Sequence, residues 1–192
     1  HRIKSTETIA KYRQIIDEQI ERAMEIVDET LVITDGGGDD AARFQRIDIN
    51  LLLHRCVKLQ AEGPQKRVLD LDEVAPKVLG IPGEIQVLFS NLIKNALESM
   101  PDGGTLHIRS NIELQELVVS VSDTGNGIAP ELREKIWEPY FSGKVTSAGN
   151  LTAGRGWGLT ICNRIVTEHK GSIQCESVLG QGSKFTVRMP IN

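Results

Sequence analysis

The first 35 residues carry a regular stripe of apolar side chains that are separated by three or four positions. This spacing places one apolar face along a helix and predicts that residues 1–35 are helical. A single amphipathic helix cannot bury its own stripe, so it needs a partner helix in a hairpin or in a dimer. Residues 36–45 follow as a linker that starts with three glycines. The stripe consists of Ile9, Tyr12, Ile16, Ile20, Ala23, Val27 and Leu31.

After the linker, the pattern of apolar and polar positions alternates between the periods of strands and of helices. Pro82 suits the first turn of the longest predicted helix, and the sequence Pro-Asp-Gly-Gly ends that helix in a turn. We predict an α+β domain over residues 46–192, in which helices cover one face of a mixed sheet in a two-layer sandwich. Extended segments are predicted at residues 46–50, 66–73, 105–111, 116–122, 172–177 and 183–189. Helices are predicted at residues 51–61, 82–100 and 159–169, with a short helix after Pro130.

Composition and charge narrow the range of functions. With 40% hydrophobic and 25% charged residues, the 192-residue chain has a globular composition, which excludes disorder. Its net charge of −4 argues against a protein that binds nucleic acid by neutralising phosphates. No apolar run approaches the roughly 20 residues of a membrane span. The three widely spaced cysteines, Cys56, Cys162 and Cys175, suit buried positions in a reducing compartment. We therefore expect a cytoplasmic location, with the cytoplasmic part of a longer membrane-bound protein as the alternative.

Two asparagines mark the longest predicted helix as a candidate site. Asn91 and Asn95 are four residues apart, so both carboxamides project from one face. Asparagine is mildly unfavourable inside a helix, and two on one face of an otherwise apolar helix indicate a use. A carboxamide oxygen is a hard ligand that suits Mg²⁺ when phosphates supply the remaining oxygens. The alternative is that both side chains cap neighbouring loops.

A second candidate site follows the strand predicted at residues 116–122. Asp123 begins a D-x-G-x-G sequence that includes Gly125 and Gly127. A carboxylate at the end of a strand, followed by these glycines, places an acceptor beside backbone that a flat ligand can approach closely. Such an acceptor suits the exocyclic amine of adenine. An ordinary turn is the alternative explanation.

Two further glycine-rich segments complete the set. Gly154, Gly156 and Gly158 precede Leu159 at the start of a predicted helix, where free N–H groups and the helix dipole suit polyphosphate. The preceding stretch has few apolar anchors and is predicted to be a mobile lid, with Lys144 supplying positive charge. A surface loop with no role is the alternative. Ser183 lies in a turn that enters the last strand, a position from which its side chain is able to reach a ligand at the edge of the sheet. An ordinary hairpin turn is the alternative explanation.

In this order, the motifs resemble the ATP-binding domain of sensor histidine kinases. This superfamily also contains the DNA gyrase, heat-shock chaperone and mismatch-repair ATPases. The matching motifs are N-x-x-x-N, D-x-G-x-G, W-E-P-Y-F, G-x-G-x-G-L and G-x-G-S-x-F, and the resemblance covers residues 46–190. The sequence from Asn91 to Pro101 is most similar to the branch that includes nitrogen-regulation sensors. The resemblance implies a Bergerat-type ATP fold.

The resemblance also implies the residues that bind Mg-ATP. Asp123 accepts a hydrogen bond from the adenine amine, with Gly125 beside it, Gly127 leaves room for the ring, and Ser183 supports Asp123 directly or through water. Asn95 coordinates Mg²⁺ that bridges the phosphates. Asn91 stands where hydrolytic relatives have a glutamate that activates water, and an amide is no general base, which favours phosphoryl transfer over hydrolysis. The phosphates are held by Lys144 and by the backbone at Gly154, Gly156, Gly158 and Leu159.

The implied activity is transfer of the γ-phosphoryl group of ATP to a histidine on a helical hairpin, and then to an aspartate of a response regulator. Residues 1–35 resemble the second helix of such a dimerisation hairpin, which implies a homodimer. The usual phosphoacceptor motif is not present around His1, so the acceptor histidine is expected upstream, on the same protein or its dimer mate. The departures from the family pattern are Glu98, Arg155 and Trp157. The alternatives are an ATPase of the same superfamily that couples hydrolysis to conformational change, and a degenerate module that holds nucleotide, or nothing, and acts as a docking scaffold. A serine kinase of the anti-sigma type is disfavoured by the acidic amphipathic helix predicted at residues 1–35.

Overall fold

A computed structural model describes residues 43–60, 62–73, 77–139, 141 and 156–191 of the chain. All of them belong to one compact unit, residues 41–192. The predicted helix at residues 1–35 and most of the predicted linker lie outside the described residues. The same holds for the predicted lid with Lys144, and for Gly154.

The centre of the unit is a five-stranded sheet with the order β2-β4-β5-β7-β6. Strand β2 runs parallel to β4, and the other neighbouring pairs are antiparallel, so the sheet is mixed as predicted. In β5 and β7, alternate apolar side chains are buried on one face, because successive side chains of a strand point to opposite sides. The strands are β2 (Lys66–Leu71), β4 (Thr105–Glu113), β5 (Glu116–Asp123), β6 (Ser172–Val178) and β7 (Gly182–Pro190).

In the described part of the chain, three helices pack against the buried face of the sheet. They are α1 (Ile49–Leu59), α2 (Pro82–Glu98) and α3 (Gly158–Glu168). The central helix α2 begins with Pro82, whose fixed φ angle and missing N–H suit a first turn. Its buried side is apolar along its whole length, which anchors the helix and leaves the remaining positions for other roles. This side consists of Ile85, Leu88, Phe89, Leu92, Ile93 and Ala96.

A small second sheet was not predicted in full. Strand β1 (Gln45–Asp48) pairs antiparallel with β3 (Lys77–Gly80), which the sequence pattern does not reveal. Four residues are too few to show a period of two, and β3 forms only because a distant segment supplies the hydrogen bonds. Asp48 then caps α1 by accepting the N–H of Leu51 at 3.0 Å.

The segment after Pro130 forms two short 3-10 helices, Pro130–Leu132 and Lys135–Trp137, in place of the predicted short helix. Trp137 packs edge-to-face on Phe185, with ring centroids 6.1 Å apart. Its carbonyl accepts the hydroxyl of Thr160 at 3.1 Å, which ties this segment to the first turn of α3. The segment therefore helps to position the start of α3.

The cysteines follow the prediction for two of the three residues. Cys56 and Cys162 are buried and Cys175 is half-buried, and all three are free thiols. Burial raises the pKa of the Cys175 thiol to about 11. Within the described residues, no helix is both long and apolar enough to cross a membrane.

Candidate nucleotide site

The two asparagines of the predicted site lie on α2. Asn91 and Asn95 are four residues apart and both are half-buried, so they share one side of the helix. The Asn91 carboxamide faces the start of α3, because a methyl group placed on Gly158 would lie 3.4 Å from Asn91 Oδ1. The structure therefore brings together two motifs that are far apart in the sequence.

The first turn of α3 has features that suit an anion. Trp157 is its N-cap, and the Trp157 carbonyl accepts the N–H of Ile161 at 2.8 Å. Among the described residues, no side chain caps this end of the helix. The N–H groups of Gly158 and Leu159 have no acceptor within the helix, and they lie at the positive end of its dipole. An anionic group beside Asn91 and Gly158 is therefore favoured electrostatically.

Gly156 is required by its surroundings. Its φ angle is +65°, and a methyl group at this position would overlap the backbone nitrogen of Phe141. Only glycine satisfies both conditions. The contact joins Phe141 and Gly156, which flank residues 142–155.

Asp123 ends strand β5 and is the most organised polar group of the region. Its side-chain oxygen Oδ1 accepts hydrogen bonds from the N–H of Gly125 at 2.8 Å, the hydroxyl of Ser99 at 3.0 Å and the N–H of Ser183 at 3.3 Å. No described residue donates to the other oxygen, Oδ2. The three donors therefore fix the orientation of the carboxylate and leave one oxygen for a ligand.

Burial controls the electrostatics of Asp123. The residue is only 7% exposed, and burial raises the pKa of its carboxyl group above the usual value. The hydrogen bonds from Gly125, Ser99 and Ser183 favour the charged form and limit that rise. A buried, oriented acceptor of this kind suits an N–H donor on a ligand.

The loop after Asp123 packs closely against its surroundings. Gly127 has a φ angle of +63°, and a methyl group there would overlap the carbonyl of Val178. The adjacent Asn126 carbonyl accepts the N–H of Gly180 at 2.7 Å, which holds the loop against the β6–β7 turn. In this structure, glycine is needed at position 127 because another backbone approaches it. The predicted role in making room for adenine stays a prediction.

Ser183 reaches Asp123 through its backbone. The N–H of Ser183 contacts Asp123 Oδ1, and the Ser183 hydroxyl lies 3.0 Å from the hydroxyl of Ser177. Ser177 also accepts the N–H of Ile128 at 2.8 Å and donates to the Gly182 carbonyl at 2.9 Å. The two serines thus connect the end of β6 and the start of β7 to the loop that follows Asp123.

The family follows from the comparison of the chain with known protein families. Residues 80–192 match the family described as "Histidine kinase-, DNA gyrase B-, and HSP90-like ATPase". The chain belongs to this ATPase family. The match includes α2, Asp123 and α3, which are the elements that form the candidate site.

The relatives of the chain within this ATPase family include sensor histidine kinases. It is 27% identical to "Sensor histidine kinase ZraS" of Escherichia coli O157:H7, over 93% of this chain and 38% of the relative. It is 38% identical to "Sporulation kinase C" of Bacillus subtilis, over 58% of this chain and 24% of the relative. The chain thus spans between about a quarter and two fifths of these relatives. None of these matches tests the predicted similarity to nitrogen-regulation sensors.

Solved structures of the family have the same fold. The catalytic domain of histidine kinase ThkA matches with a TM-score of 0.67 and 29% identity, over 77% of this chain and 97% of that one. A structure of ThkA in complex with the response regulator protein TrrA matches with a TM-score of 0.71 and 27% identity. That match covers 95% of this chain and 51% of the ThkA chain. The predicted α+β fold is therefore confirmed.

Most of the predicted site residues of this family member lie in the described part of the chain. Asn91 lies beside Gly158, and the N–H groups of Gly125 and Ser183 donate to Asp123 Oδ1. Gly127 lies on the β6–β7 turn, and Leu159 is half-buried against the core. Lys144 and Gly154 lie outside the described residues.

Two serines of this region, Ser99 and Ser177, were not predicted from the sequence. A serine at the end of a helix or within a strand is common, so neither residue gave a signal of its own. Ser99 matters because the fold brings the end of α2 against Asp123. Only the tertiary structure reveals that contact.

Proposed function

We propose that residues 46–192 are the ATP-binding catalytic domain of a sensor histidine kinase. The observation that carries this proposal is the environment of Asp123, which lies in a chain of the histidine kinase-like ATPase family. Three donors hold Asp123 Oδ1, and Oδ2 has no donor among the described residues. The adenine amine is the ligand donor that this arrangement suits best.

The phosphates of ATP belong between α2 and the start of α3. Asn91 and Gly158 face each other there, next to the uncapped first turn of α3. The backbone at Gly156, Gly158 and Leu159 supplies N–H donors and the positive end of a dipole. Lys144 and Gly154 are assigned to the same phosphates on the basis of the sequence motif.

The residues on this side of α2 fit a magnesium ion that is bound mainly through phosphate oxygens. A carboxamide oxygen is a hard, neutral ligand, and Mg²⁺ in phosphate sites typically takes few protein ligands. We assign Asn95 as the protein ligand, with Asn91 beside it. When bound, the ion neutralises charge on the phosphates.

The assigned reaction is phosphoryl transfer to a protein histidine. A P–N bond forms at an imidazole nitrogen, the P–O bond between the γ- and β-phosphoryl groups breaks, and ADP leaves with the bonding electrons. The proton of the attacking imidazole passes to solvent. Asn91 is an amide and cannot take a proton from water, which favours this transfer over hydrolysis. The contribution of the domain is to orient ATP and to stabilise its negative charge.

The partners follow from the assigned reaction. The phosphoacceptor histidine belongs to a helical hairpin of the same protein or its dimer mate, and residues 1–35 are assigned as the second helix of that hairpin, with residues 36–45 as the linker. The apolar stripe of residues 1–35 supports a homodimer. The receiver domain of a response regulator is the assigned second phosphoacceptor. A cytoplasmic site of action suits these partners.

The proposal is tested on the full-length protein with ATP that carries a labelled γ-phosphoryl group. We expect Mg²⁺-dependent labelling that is stable to base and lost in acid, as for a P–N bond. Asn95→Ala should reduce the labelling rate at least about 100-fold, because the metal ligand is removed. Asn163→Ala is the matched control, because Asn163 is an exposed helical asparagine of α3.

Two results would replace the proposal with an alternative. Rapid release of inorganic phosphate without labelled protein, abolished by Asn95→Ala, would identify a hydrolytic ATPase. An absence of Mg-ATP binding at millimolar concentration would identify a degenerate scaffold.

A further inference from the structure

Ser99 lies where the asparagine helix meets the loop of Asp123. As the C-cap of α2, its N–H donates to the carbonyl of Asn95 at 3.1 Å. Its own carbonyl accepts the N–H of Asn126 at 3.2 Å. Its hydroxyl lies 3.0 Å from Asp123 Oδ1. One residue therefore links the turn that contains Asn95 to both Asp123 and its loop.

The contact between Ser99 and the loop is tight. A methyl group placed on Gly125 would overlap the hydroxyl and the carbonyl of Ser99. The N–H of the same Gly125 donates to Asp123 Oδ1. Because backbone contacts set the distance between α2 and the loop, the Ser99 hydroxyl is held within reach of the carboxylate.

The hydroxyl of Ser99 has one hydrogen and two acceptors. Besides Asp123 Oδ1, it lies 2.7 Å from the carbonyl of Ala96, in the preceding turn of α2. A hydrogen bond to an ionised acceptor is roughly twice as strong as one to a neutral carbonyl. Asp123 is also buried, and a buried charged carboxylate needs hydrogen-bond donors more than the neutral carbonyl of Ala96 does. The hydrogen therefore belongs to Asp123 when that residue is ionised.

We propose that Ser99 is a positioning residue for adenine recognition, which acts through Asp123 and does not touch the nucleotide. Its hydroxyl, with the N–H groups of Gly125 and Ser183, engages Oδ1 so that Oδ2 is presented to the exocyclic amine. Because Ser99 also ends α2, it couples the adenine side of the site to the helix of Asn95. This inference rests on the proposed nucleotide site.

The experiment compares two nucleotides that differ only in the exocyclic amine. Binding of Mg-ATP and of the Mg-bound triphosphate of unsubstituted purine riboside is measured by calorimetry on wild type, Ser99→Ala and Ser99→Thr. We expect Ser99→Ala to weaken ATP binding roughly ten-fold, which corresponds to the loss of one hydrogen bond to a charged group. Binding of the purine analogue should change less than about two-fold. Ser99→Thr, which keeps the hydroxyl, should restore most of the preference for ATP.

Ser90→Ala is the matched control for the same substitution in the same helix. Ser90 is half-buried, and its hydroxyl lies 3.5 Å from Cys56 Sγ on α1, away from Asp123. We expect the affinity of Ser90→Ala for both nucleotides to equal that of wild type. Thermal unfolding of each variant confirms that the fold is intact.

Two outcomes would overturn the inference. An equal loss of affinity for both nucleotides in Ser99→Ala would show that the hydroxyl serves only the Ala96 carbonyl at the end of α2. Unchanged ATP affinity in Ser99→Ala would show that Asp123 does not need it. If wild-type protein binds neither nucleotide, the proposed function itself is wrong, and this inference is wrong with it.

Discussion

A carboxylate lies near each end of helix α2, and the two carboxylates differ in the hydrogen bonds that compensate for their burial. Asp123, near the C-terminal end, has three donors on Oδ1. Glu84, in the first turn, has an oxygen, Oε2, that is buried without a hydrogen-bond partner in the described part of the chain. Burial raises the pKa of both carboxyl groups. Burial is thus offset by oriented hydrogen-bond donors at only one of the two carboxylates.

Two ionisable neighbours of Glu84 lie within ion-pair distance of its carboxylate but beyond hydrogen-bond distance. Arg43 is 3.8 Å from Oε1, and Nδ1 of His169 is 3.9 Å from Oε2. The His169 ring instead accepts the N–H of Ile81 through Nε2 at 3.0 Å, and its Nδ1 lies 2.7 Å from the carbonyl of Ile165. These contacts tie the start of α2 to the end of α3. The Asp123 end therefore keeps one carboxylate oxygen without a donor among the described residues, whereas the contacts beside Glu84 hold two helices together.

The largest effect is expected for Asp123→Asn. An asparagine has only one side-chain oxygen. Its NH₂ group must therefore face either the three protein donors that now contact Oδ1 or the adenine amine, and in both cases two donors oppose each other. We expect Mg-ATP affinity to fall at least about 100-fold, with the fold retained. Calorimetric titration and circular dichroism measure the two effects. Asp70→Asn is the control, because Asp70 is an exposed aspartate that pairs with Arg109 on another part of the sheet. Tight ATP binding by Asp123→Asn would contradict the adenine assignment.

The next effect is expected for His169→Ala, and it concerns stability. The change leaves the N–H of Ile81 without its acceptor and opens a cavity beside Phe44, whose ring centroid is 5.2 Å from that of His169. We expect the free energy of unfolding to fall by about 3 kcal/mol. Urea denaturation measures this loss, and Mg-ATP affinity at a temperature where the variant is folded should be unchanged. A loss below about 1 kcal/mol would show that His169 does not join the two helices.

The smallest effect is expected for Glu84→Gln, with the opposite sign. A neutral amide of the same shape removes a poorly compensated buried charge, so we expect stability at neutral pH to rise by about 1 kcal/mol. Because the pKa of Glu84 is raised, the folded protein binds this proton more tightly than the unfolded chain does. The resulting stability is fully present below the unfolded pKa and is lost as pH rises through the folded pKa. Glu84→Gln removes this loss.

Urea denaturation of wild type and Glu84→Gln between about pH 4.5 and pH 8 tests this comparison. Burial also raises the pKa of Asp123, so Asp123 causes a decrease of stability with rising pH in both proteins. The decrease should therefore be weaker in Glu84→Gln than in wild type, but still present. A lower stability of Glu84→Gln at neutral pH would show that the charge of Glu84 is favourable, through Arg43 or through the dipole of α2.

The sequence alone predicted the elements in which the apolar pattern repeats many times. Helix α2 and strands β4 to β7 were predicted within a few residues, because their buried side chains repeat over several turns or several pleats. The order of the asparagine, aspartate and glycine motifs predicted the family, and the match of residues 80–192 confirms this prediction. These features are local, so they can be read from neighbouring positions.

Only the tertiary structure decided how the motifs meet. Strand β3 depends on pairing with β1, and the role of Ser99 depends on contact between the end of α2 and the loop after Asp123. The difference between Asp123 and Glu84 also depends on donors from other segments, since either residue by itself is only an acidic side chain near an apolar stretch. Hydrogen bonds between distant segments leave no periodic signal in the sequence, because each partner is an ordinary serine, glycine or backbone group.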